Sequence, residues 1–378
     1  MLTRSFLAVL GATLAAFGGY AVLLPVLPLW ATVGGAGPAL AGATTGVFMA
    51  ATVAAQLGVP ALLRATGHRT ALILGAVALG APAALLPLSA SPVLSLGVAV
   101  VRGIGFGVLT VTGAALVSDL VPARMHGRAS GVYGLAIGLP QLALLTGGIW
   151  AWSALGPTPV LVAGAVLPLL AVPTALLLPR RLPARPGAPA ADTPAPGFAR
   201  AAVGPWLVMV VCAASAGGMI TVLPLAGVGG VAAALFVLTA AQLVGRSAAG
   251  ELGDRLGLTG RLTGPALGLT ALGAGVAAWG LTGPGTAAVL VGAGLVGVGF
   301  GAVQNDTLVT LFARAGAARS GAASSVWNTA YDSGTGLGAT ALAAVLGAAG
   351  APWSFGVAAL ACVAAGLVVR PERGPARG

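Results

Sequence analysis

The sequence predicts an all-α integral membrane protein in which twelve transmembrane helices form two parallel six-helix bundles. The first observation is composition: 58% of the 378 residues are hydrophobic and 7% are charged, whereas a soluble domain carries roughly 25% charged residues. The second observation is that all 18 basic residues are arginines, which fall between long apolar stretches. The third is an internal repeat that relates the second half of the chain to the first.

Each predicted span is an apolar segment of about 20 residues, the length that a helix needs to cross a hydrocarbon core about 30 Å thick. Six spans lie in the first half of the chain and six in the second. In chain order, they cover residues 6–29, 39–62, 70–90, 94–118, 129–152, 158–178, 201–226, 229–250, 262–282, 286–311, 321–348 and 352–369.

The arginines predict which connections face the cytoplasm. They lie before the first span, after the last span and in every second connection. Basic residues stay on the cytoplasmic side of a bilayer. We therefore expect a multi-pass protein of the plasma (inner) membrane with both termini cytoplasmic. The other six connections carry no basic residue and lie near Trp30, Ser91, Gly156, Val228, Pro284 and Ala351.

The repeat predicts two bundles of equal size. Gly103-Ile-Gly-Phe-Gly107 matches Gly297-Val-Gly-Phe-Gly301, 194 residues later, and at the same offset Tyr133 meets Trp327. The bundles are parallel because an even number of crossings separates the two copies. Residues 180–200 between them are rich in proline and alanine, which is typical of an extended linker. The predicted N-terminal bundle, cytoplasmic linker, C-terminal bundle and cytoplasmic tail are residues 1–179, 180–200, 201–369 and 370–378.

The composition also excludes several classes of function. The net charge of +11 is spread over short predicted cytoplasmic patches, which set topology and attract anionic lipid. We therefore expect the lipid bilayer, and no nucleic acid, as a partner. His68 and His126 lie in predicted loops, and the sequence contains no phosphate-binding loop. We expect no metal, no cofactor and no enzyme activity, and we expect a monomer.

Two parallel six-span halves joined by a cytoplasmic linker resemble the major facilitator superfamily of transporters. The segment Gly250-Glu-Leu-Gly-Asp-Arg-Leu-Gly257, after the eighth span, is similar to a family signature that forms a tight cytoplasmic turn. In this resemblance the aspartate caps a neighbouring helix, and the arginine pairs with an acid or with a helix C-terminus. In the first half, Arg64 and Ala65 stand where the signature has Asp and Arg. The resemblance therefore implies one cytoplasmic gate, formed by Gly250, Asp254, Arg255 and Gly257.

Two further segments resemble one branch of the family, the arabinose-efflux permeases and drug–proton antiporters. The tenth span contains Gly299-Phe-Gly-Ala-Val-Gln-Asn305, and the eleventh contains Val326-Trp-Asn-Thr-Ala-Tyr-Asp332. The resemblance implies secondary active transport by alternating access. It also implies proton-coupled efflux of a small organic solute, sugar- or drug-like, with the proton gradient as the energy source.

Ionisable residues inside predicted spans are the main candidates for function, since a charge at the bilayer centre costs roughly 2.5–3.5 kcal/mol on insertion scales. Asp332 lies near the middle of the eleventh span, and Asp306 lies in the cytoplasmic third of the tenth. Burial favours the protonated form of a carboxyl group. We therefore predict that Asp332 or Asp306 carries the coupled proton. Asp119 and Arg246 lie closer to the cytoplasmic ends, and for them we expect structural pairing.

The remaining polar residues of the spans predict a weakly polar lining for a solute cavity. Arg102 lies well inside the fourth span and can contact a solute anion or an acid, or it can form a structural pair with backbone carbonyls. Two alternatives stay open: an uptake porter for a small anion anchored by Arg102, and a non-transporting membrane receptor or partner-binding subunit, which would not need embedded charges. The predicted cavity residues are Arg102, Tyr20, Tyr133, Gln141, Gln304, Asn305, Asn328 and Tyr331.

Overall fold

Helices contain most of the residues described by the computed structural model, which are residues 3–122, 125–179, 197–283, 285–316 and 320–369. Within these ranges the chain contains no strand, and the all-α prediction is confirmed. The predicted linker lies outside the described residues as far as residue 196, and the predicted tail at 370–378 lies entirely outside them. The chain divides into two compact units, Met1–Gly187 and Ala188–Gly378.

The N-terminal unit begins with a span that proline interrupts. The first predicted span consists of α1 (Arg4–Leu23) and α2 (Val26–Val33). The helix breaks before α2 because Pro25 has no backbone N–H to donate to the preceding turn. The elements that follow are α3 (Pro38–Gly80), a 3-10 helix (Ala81–Leu88), α4 (Pro92–Leu120), α5 (His126–Leu155), α6 (Pro157–Leu169) and α7 (Ala171–Leu176).

The long element α3 contains two predicted spans. Gly67 has a φ of 78° and a ψ of 164°, which are not helical angles. Glycine adopts a positive φ without the steric penalty of a side chain, so the direction of the chain changes there. The third predicted span then ends in the 3-10 helix, in which Pro82 and Pro87 each remove a backbone donor. Hydropathy alone predicted neither the kink nor the change of helix type.

The C-terminal unit contains six described helices, and none of them contains two predicted spans. Each described helix covers one predicted span, from the seventh to the twelfth. They are α8 (Phe198–Leu225), α9 (Val231–Leu256), α10 (Thr263–Gly280), α11 (Thr286–Ala315), α12 (Ser320–Ala349) and α13 (Ala351–Val368).

The twelve-span prediction agrees with the helices of the structure. By length and hydropathy, nine segments of the described chain are able to cross a membrane, and one of these, Pro38–Leu88, holds the second and third predicted spans. The helices α10 and α12 are not among the nine because glycine, serine and threonine lower their hydropathy. Counting the kinked segment twice and adding α10 and α12 gives twelve.

The two units pack equivalent helices against each other. In the N-terminal unit α3 packs along α4, and α1 packs against α5. In the C-terminal unit α9 packs along α11, and α8 packs against α12. The repeat in sequence is therefore also a repeat in helix packing.

The repeated glycines lie at the closest contacts of these helix pairs. A Cβ atom at each of them would collide with a backbone carbonyl oxygen of the facing helix. Small residues let the backbones of membrane helices approach closely, which explains why both halves keep the same glycine spacing. The pairs of glycine and carbonyl residue are Gly103 with Phe48, Gly107 with Thr52, Gly297 with Leu238 and Gly301 with Gln242.

Candidate functional site

The guanidinium group of Arg102 is bound to backbone carbonyls in the middle of the N-terminal unit. Its Nε donates to the carbonyl oxygen of Leu79 at 3.0 Å, and its Nη2 donates to that of Gly19 at 2.9 Å. Its Cζ lies 5.8 Å from the centroid of the Phe48 ring. The side chain is 2% exposed. Arg102 therefore ties α4 to α3 and α1, and little of its charge faces open space.

Aromatic rings close the space around Arg102. The Tyr20 ring stacks on Phe106 with 4.3 Å between centroids and on Phe48 with 5.7 Å, and Phe17 meets Phe106 edge to face at 5.2 Å. The cavity that Arg102 and Tyr20 help to line has a volume of about 10 Å³. Such a volume holds one water molecule, so these two predicted cavity residues do not line a space for a solute here.

The other two predicted cavity residues of this unit lie on α5. The Tyr133 hydroxyl is hydrogen-bonded to that of Thr13 in α1. The side-chain amide of Gln141 donates to the carbonyl oxygen of Ile137, one turn earlier in its own helix, at 3.3 Å. Neither residue lines the cavity beside Arg102. The structure thus brings Tyr20 and Arg102 together and leaves Tyr133 and Gln141 apart from them.

A half-buried aromatic surface lies between α11 and α12 in the C-terminal unit, and we call it the aromatic wall. It consists of Phe300, Trp327 and Tyr331, and the Tyr331 ring centroid lies 5.7 Å from each of the other two. The Tyr331 side chain lies close to that of Gln242 on α9. The Trp327 indole N–H donates to the carbonyl oxygen of Gln304 at 3.1 Å. The wall is therefore bound to α11 and lies next to α9.

The side chain of Arg246, on α9, extends over the aromatic wall. Its Cζ lies 6.0 Å from the centroid of the Trp327 ring, and the residue is exposed. The sequence predicted structural pairing for Arg246. Among the described residues, however, the Asp119 carboxylate lies 3.4 Å from the His68 imidazole and Glu251 pairs with Arg255, and Arg246 takes part in neither contact. Asp119 therefore has a partner, whereas Arg246 has an aromatic face and no carboxylate.

The polar residues near the wall have different environments. Gln304 is 1% exposed, and its side-chain Nε2 has no hydrogen-bond partner among the described residues. Asn305 lies beside Gly250, the first residue of the predicted gate. The side-chain amide of Asn328 donates to the backbone carbonyl oxygen of Ser324 at 2.9 Å. Of these three amides, only that of Gln304 is both buried and left with an unused donor.

Asp306 is bound by the loop that precedes α10. The Gly260 N–H donates to Oδ1 at 2.6 Å, and the Thr263 N–H and hydroxyl donate to Oδ2 at 2.8 and 2.6 Å. The carboxylate therefore caps the N-terminus of α10, where backbone N–H groups and the helix dipole favour a negative charge. This geometry favours a structural role for Asp306 over proton transfer.

The environment of Asp332 differs from that of Asp306. Asp332 is 6% exposed and lies in α12, directly after Tyr331 and four residues after Asn328. It is far from the ends of a helix that covers Ser320–Ala349.

The predicted gate residues end α9. The helix stops at Leu256, and Gly257 has a φ of 63° and a ψ of 33°, a left-handed conformation that favours glycine. The predicted acid partner of Arg255 is Glu251, one turn earlier in the same helix, and both side chains are exposed. Asp254 is also exposed. The helix that is capped by an aspartate in this region is α10, and its cap is Asp306.

A larger cavity of about 530 Å³ lies between the first turns of α8 and α12. Its lining is mostly apolar and includes Phe198, Trp206 and Val326, together with Ser325. None of the predicted site residues lines it. The residues that the sequence interpretation missed are Phe300 and Trp327 of the aromatic wall. The sequence did contain a signal for Trp327, because the repeat makes it the counterpart of Tyr133, a predicted cavity residue.

Twelve predicted spans with buried polar groups in their middle are typical of a membrane transporter. A family model, Major Facilitator Superfamily, matches residues 9–339, so the chain belongs to that superfamily. It is a multi-pass integral membrane protein that carries out secondary active transport, and it is not an enzyme. No curated protein matches it in sequence.

Several solved transporters share the fold. A POT family transporter in complex with 5-aminolevulinic acid has a TM-score of 0.80 and 13% identity, covering 97% of this chain and 95% of that one. A POT family transporter with a thioalcohol-conjugated peptide has a TM-score of 0.78 and 14% identity over the same shares. A bacterial homologue of the human lysosomal transporter Spinster, inward-facing and occupied, has a TM-score of 0.72 and 16% identity, covering 96% of this chain and 95% of that one. At these identities the likeness concerns the fold.

Proposed function

We propose that this transporter exports a small organic solute, sugar- or drug-like, in a cycle coupled to protons, and that Asp332 carries the proton. The observation that supports this most directly is the burial of Asp332 in the middle of α12, with 6% of its surface exposed. A carboxylate at such depth is costly unless it is protonated or meets a positive charge. Its protonation state is therefore expected to change between conformations of the transport cycle.

The contrast with Asp306 favours Asp332 as the proton carrier. Asp306 receives three hydrogen bonds from Gly260 and Thr263 at the start of α10, which supports a structural role for it. Asp332 lies in the middle of α12, directly after Tyr331 of the aromatic wall.

The direction of transport and the kind of solute are supported by resemblance. The segments that hold Gln304 and Asp332 are similar to the efflux branch of the superfamily. Two proteins of similar fold were solved with small organic solutes, a peptide conjugate and 5-aminolevulinic acid, which supports a solute of that size. The alternative of anion uptake anchored by Arg102 loses its support, because that guanidinium group is bound to two carbonyls.

The decisive experiment measures proton flux in proteoliposomes with a pH-sensitive dye. L-arabinose, ethidium and 4-hydroxybenzoate are tested separately as solutes. We expect one of them to move protons in the wild type. Asp332→Asn should abolish this flux while retaining solute counterflow, since asparagine mimics the protonated acid. Asp306→Asn is the matched control and should retain coupling in whatever fraction folds. Proton-coupled flux at the wild-type level in Asp332→Asn would contradict the assignment.

We also propose that the protein lies in the plasma membrane with both termini cytoplasmic, on the basis of the arginine distribution. Gly283→Cys and Ala190→Cys variants, each made in a background in which Cys212 and Cys362 are replaced, test this orientation. An impermeant maleimide added to intact cells should label the cysteine at position 283 and not the one at position 190. The reverse labelling pattern would invert the topology.

A further inference from the structure

We infer that the C-terminal unit contains an anion-binding subsite, formed by Arg246, Gln304 and the aromatic wall, which binds the carboxylate of an aromatic organic acid. This inference rests on the proposed transport function and narrows its solute to one chemical class. It also assigns the anchoring cation to Arg246, which the sequence had given only a structural role, and not to Arg102.

Arg246 is a charged residue that is exposed inside a transmembrane helix. It lies four residues before the predicted cytoplasmic end of the eighth span at residue 250, which is about 6 Å along a helix. An arginine inside a span faces water, a cavity or a partner, because facing lipid is unfavourable. Among the described residues Arg246 has no carboxylate within ion-pair distance, and it is exposed. Its guanidinium donors are therefore available to an anion from outside the chain.

A second, independent donor belongs to Gln304, whose backbone contacts the same indole ring. Trp327 binds the backbone carbonyl of Gln304 through its N–H at 3.1 Å, and Arg246 lies over its ring face at 6.0 Å. The side-chain Nε2 of Gln304 is buried and has no partner among the described residues. A buried donor without an acceptor is unfavourable. An acceptor atom of a bound solute would remove this deficit.

The aromatic wall presents accessible ring faces. The Trp327 and Tyr331 rings lie at 32° to each other, and the Phe300 and Tyr331 rings lie at 31°. Both Trp327 and Tyr331 are half-buried, so part of each ring is accessible. Such a surface suits a flat ring that stacks against it.

The chemistry of the donors separates the solute classes. Arginine binds a carboxylate with two parallel hydrogen bonds, and the Gln304 Nε2 offers one more donor to an acceptor. A cationic dye would be repelled by Arg246. A neutral sugar would leave the guanidinium group without a counter-charge. An organic anion also leaves a cell with a negative interior along the electric field, which agrees with export.

Binding of matched acids and amides to purified protein tests this inference. The probes are benzoate, 4-hydroxybenzoate and indole-3-acetate, each compared with its own amide by isothermal titration calorimetry at millimolar concentration. We expect at least one acid to bind about tenfold more tightly than its amide, as expected for the loss of one charge-assisted pair. If no acid binds more tightly than its amide, the anionic subsite is wrong.

Three variants identify the groups responsible. Arg246→Gln should remove the preference for the acid, Arg246→Lys should restore part of it, and Gln304→Leu should weaken binding of the acid by about threefold to tenfold. Arg255→Gln, an exposed arginine near the end of the same helix, is the matched control and should keep the preference. If Arg246→Gln does not fold, the Arg246→Lys and Gln304→Leu measurements decide. Wild-type preference in both of these variants would overturn the assignment.

The outcome is separable from that of the proposed function. Binding is measured without a membrane or a pH gradient, so an acid preference that depends on Arg246 supports the subsite even if no proton flux is found. Conversely, proton-coupled flux of L-arabinose or ethidium, with no preference for any acid, would support the proposed transport and overturn the anionic subsite.

Discussion

The N-terminal and C-terminal units share a helical framework but treat their embedded arginine in opposite ways. In the N-terminal unit, Arg102 on α4 is bound to two carbonyls and enclosed by aromatic rings. At the corresponding position of α11, 194 residues later, the C-terminal unit has Val296. Its own arginine, Arg246, lies on α9 with its guanidinium group over an accessible indole ring.

The difference shows how one scaffold supports two tasks. The Arg102 guanidinium group connects three helices through two fixed carbonyls, and aromatic rings close the space around it. A guanidinium group over an accessible ring connects fewer helices and retains donors for binding. We therefore expect substitution of Arg102 to affect mainly stability and substitution of Arg246 to affect mainly transport.

The largest expected difference comes from the same substitution in both units. Arg102→Met should lower the free energy of unfolding by about 2–4 kcal/mol, because it leaves two buried carbonyls without donors. Arg246→Met should change it by less than about 0.5 kcal/mol, as expected for an exposed side chain. Unfolding in mixed detergent, followed by tryptophan fluorescence, measures both. Equal losses would remove the distinction between the two arginines.

The repeated glycines should respond alike in the two units. Gly107→Ala and Gly301→Ala each put a methyl group against a facing carbonyl, and such overpacking costs about 1–3 kcal/mol. The matched controls are Gly97→Ala and Gly275→Ala, at which a methyl group meets no atom within 4 Å. The same unfolding assay applies. A strong effect in only one unit would show that equivalent helix packing does not contribute equally to stability in the two units.

A smaller effect is expected at another pair of equivalent positions, Asp306 and Thr112. Asp306→Asn should cost about 1–2 kcal/mol, because asparagine has only one acceptor oxygen for the three donors around α10. The hydroxyl of Thr112 is buried without a partner among the described residues. Thr112→Val should therefore be neutral or slightly stabilising. Denaturation midpoints compare the two variants, and a larger loss in Thr112→Val would refute this interpretation.

The smallest effect on stability is expected at the predicted gate. Exposed ion pairs contribute about 0.2–1 kcal/mol, so Arg255→Gln should barely change unfolding. Transport should respond differently: Asp254→Asn should slow solute counterflow much more than Arg64→Ala, since only the C-terminal unit has the signature pair. Similar slowing in both variants would mean that the two units do not differ at this loop.

The fold could be read from the sequence because it depends on composition and on the spacing of charges. Twelve apolar stretches, the arginines between them and the repeat were sufficient for the span count. The break before α2 at Pro25 and the kink at Gly67 are local backbone effects, which hydropathy averages out. Proline and glycine at these positions were visible in the sequence but were not decisive, since both are common in membrane helices.

The site was less predictable because partners far apart in sequence decide the role of each polar residue. Arg102 is bound to carbonyls 23 and 83 residues away. Asp306 is bound by a loop 43 to 46 residues before it. Hydropathy identifies such residues as embedded. Only the packing of the helices shows which of them are bound by other parts of the protein and which have hydrogen-bond donors left for a solute.

Three consecutive residues of α11 have three different tasks. Gln304 carries the unused donor near the aromatic wall, Asn305 lies beside Gly250, and Asp306 caps α10. Successive residues of a helix point about 100° apart, so the rotation of α11 about its own axis decides where all three side chains point. The contact of Gly301 with α9 fixes this rotation. A one-residue insertion or deletion between Gly301 and Asp306 would misdirect all three at once. Evolution of this segment is therefore expected to proceed by substitution and not by changes in length.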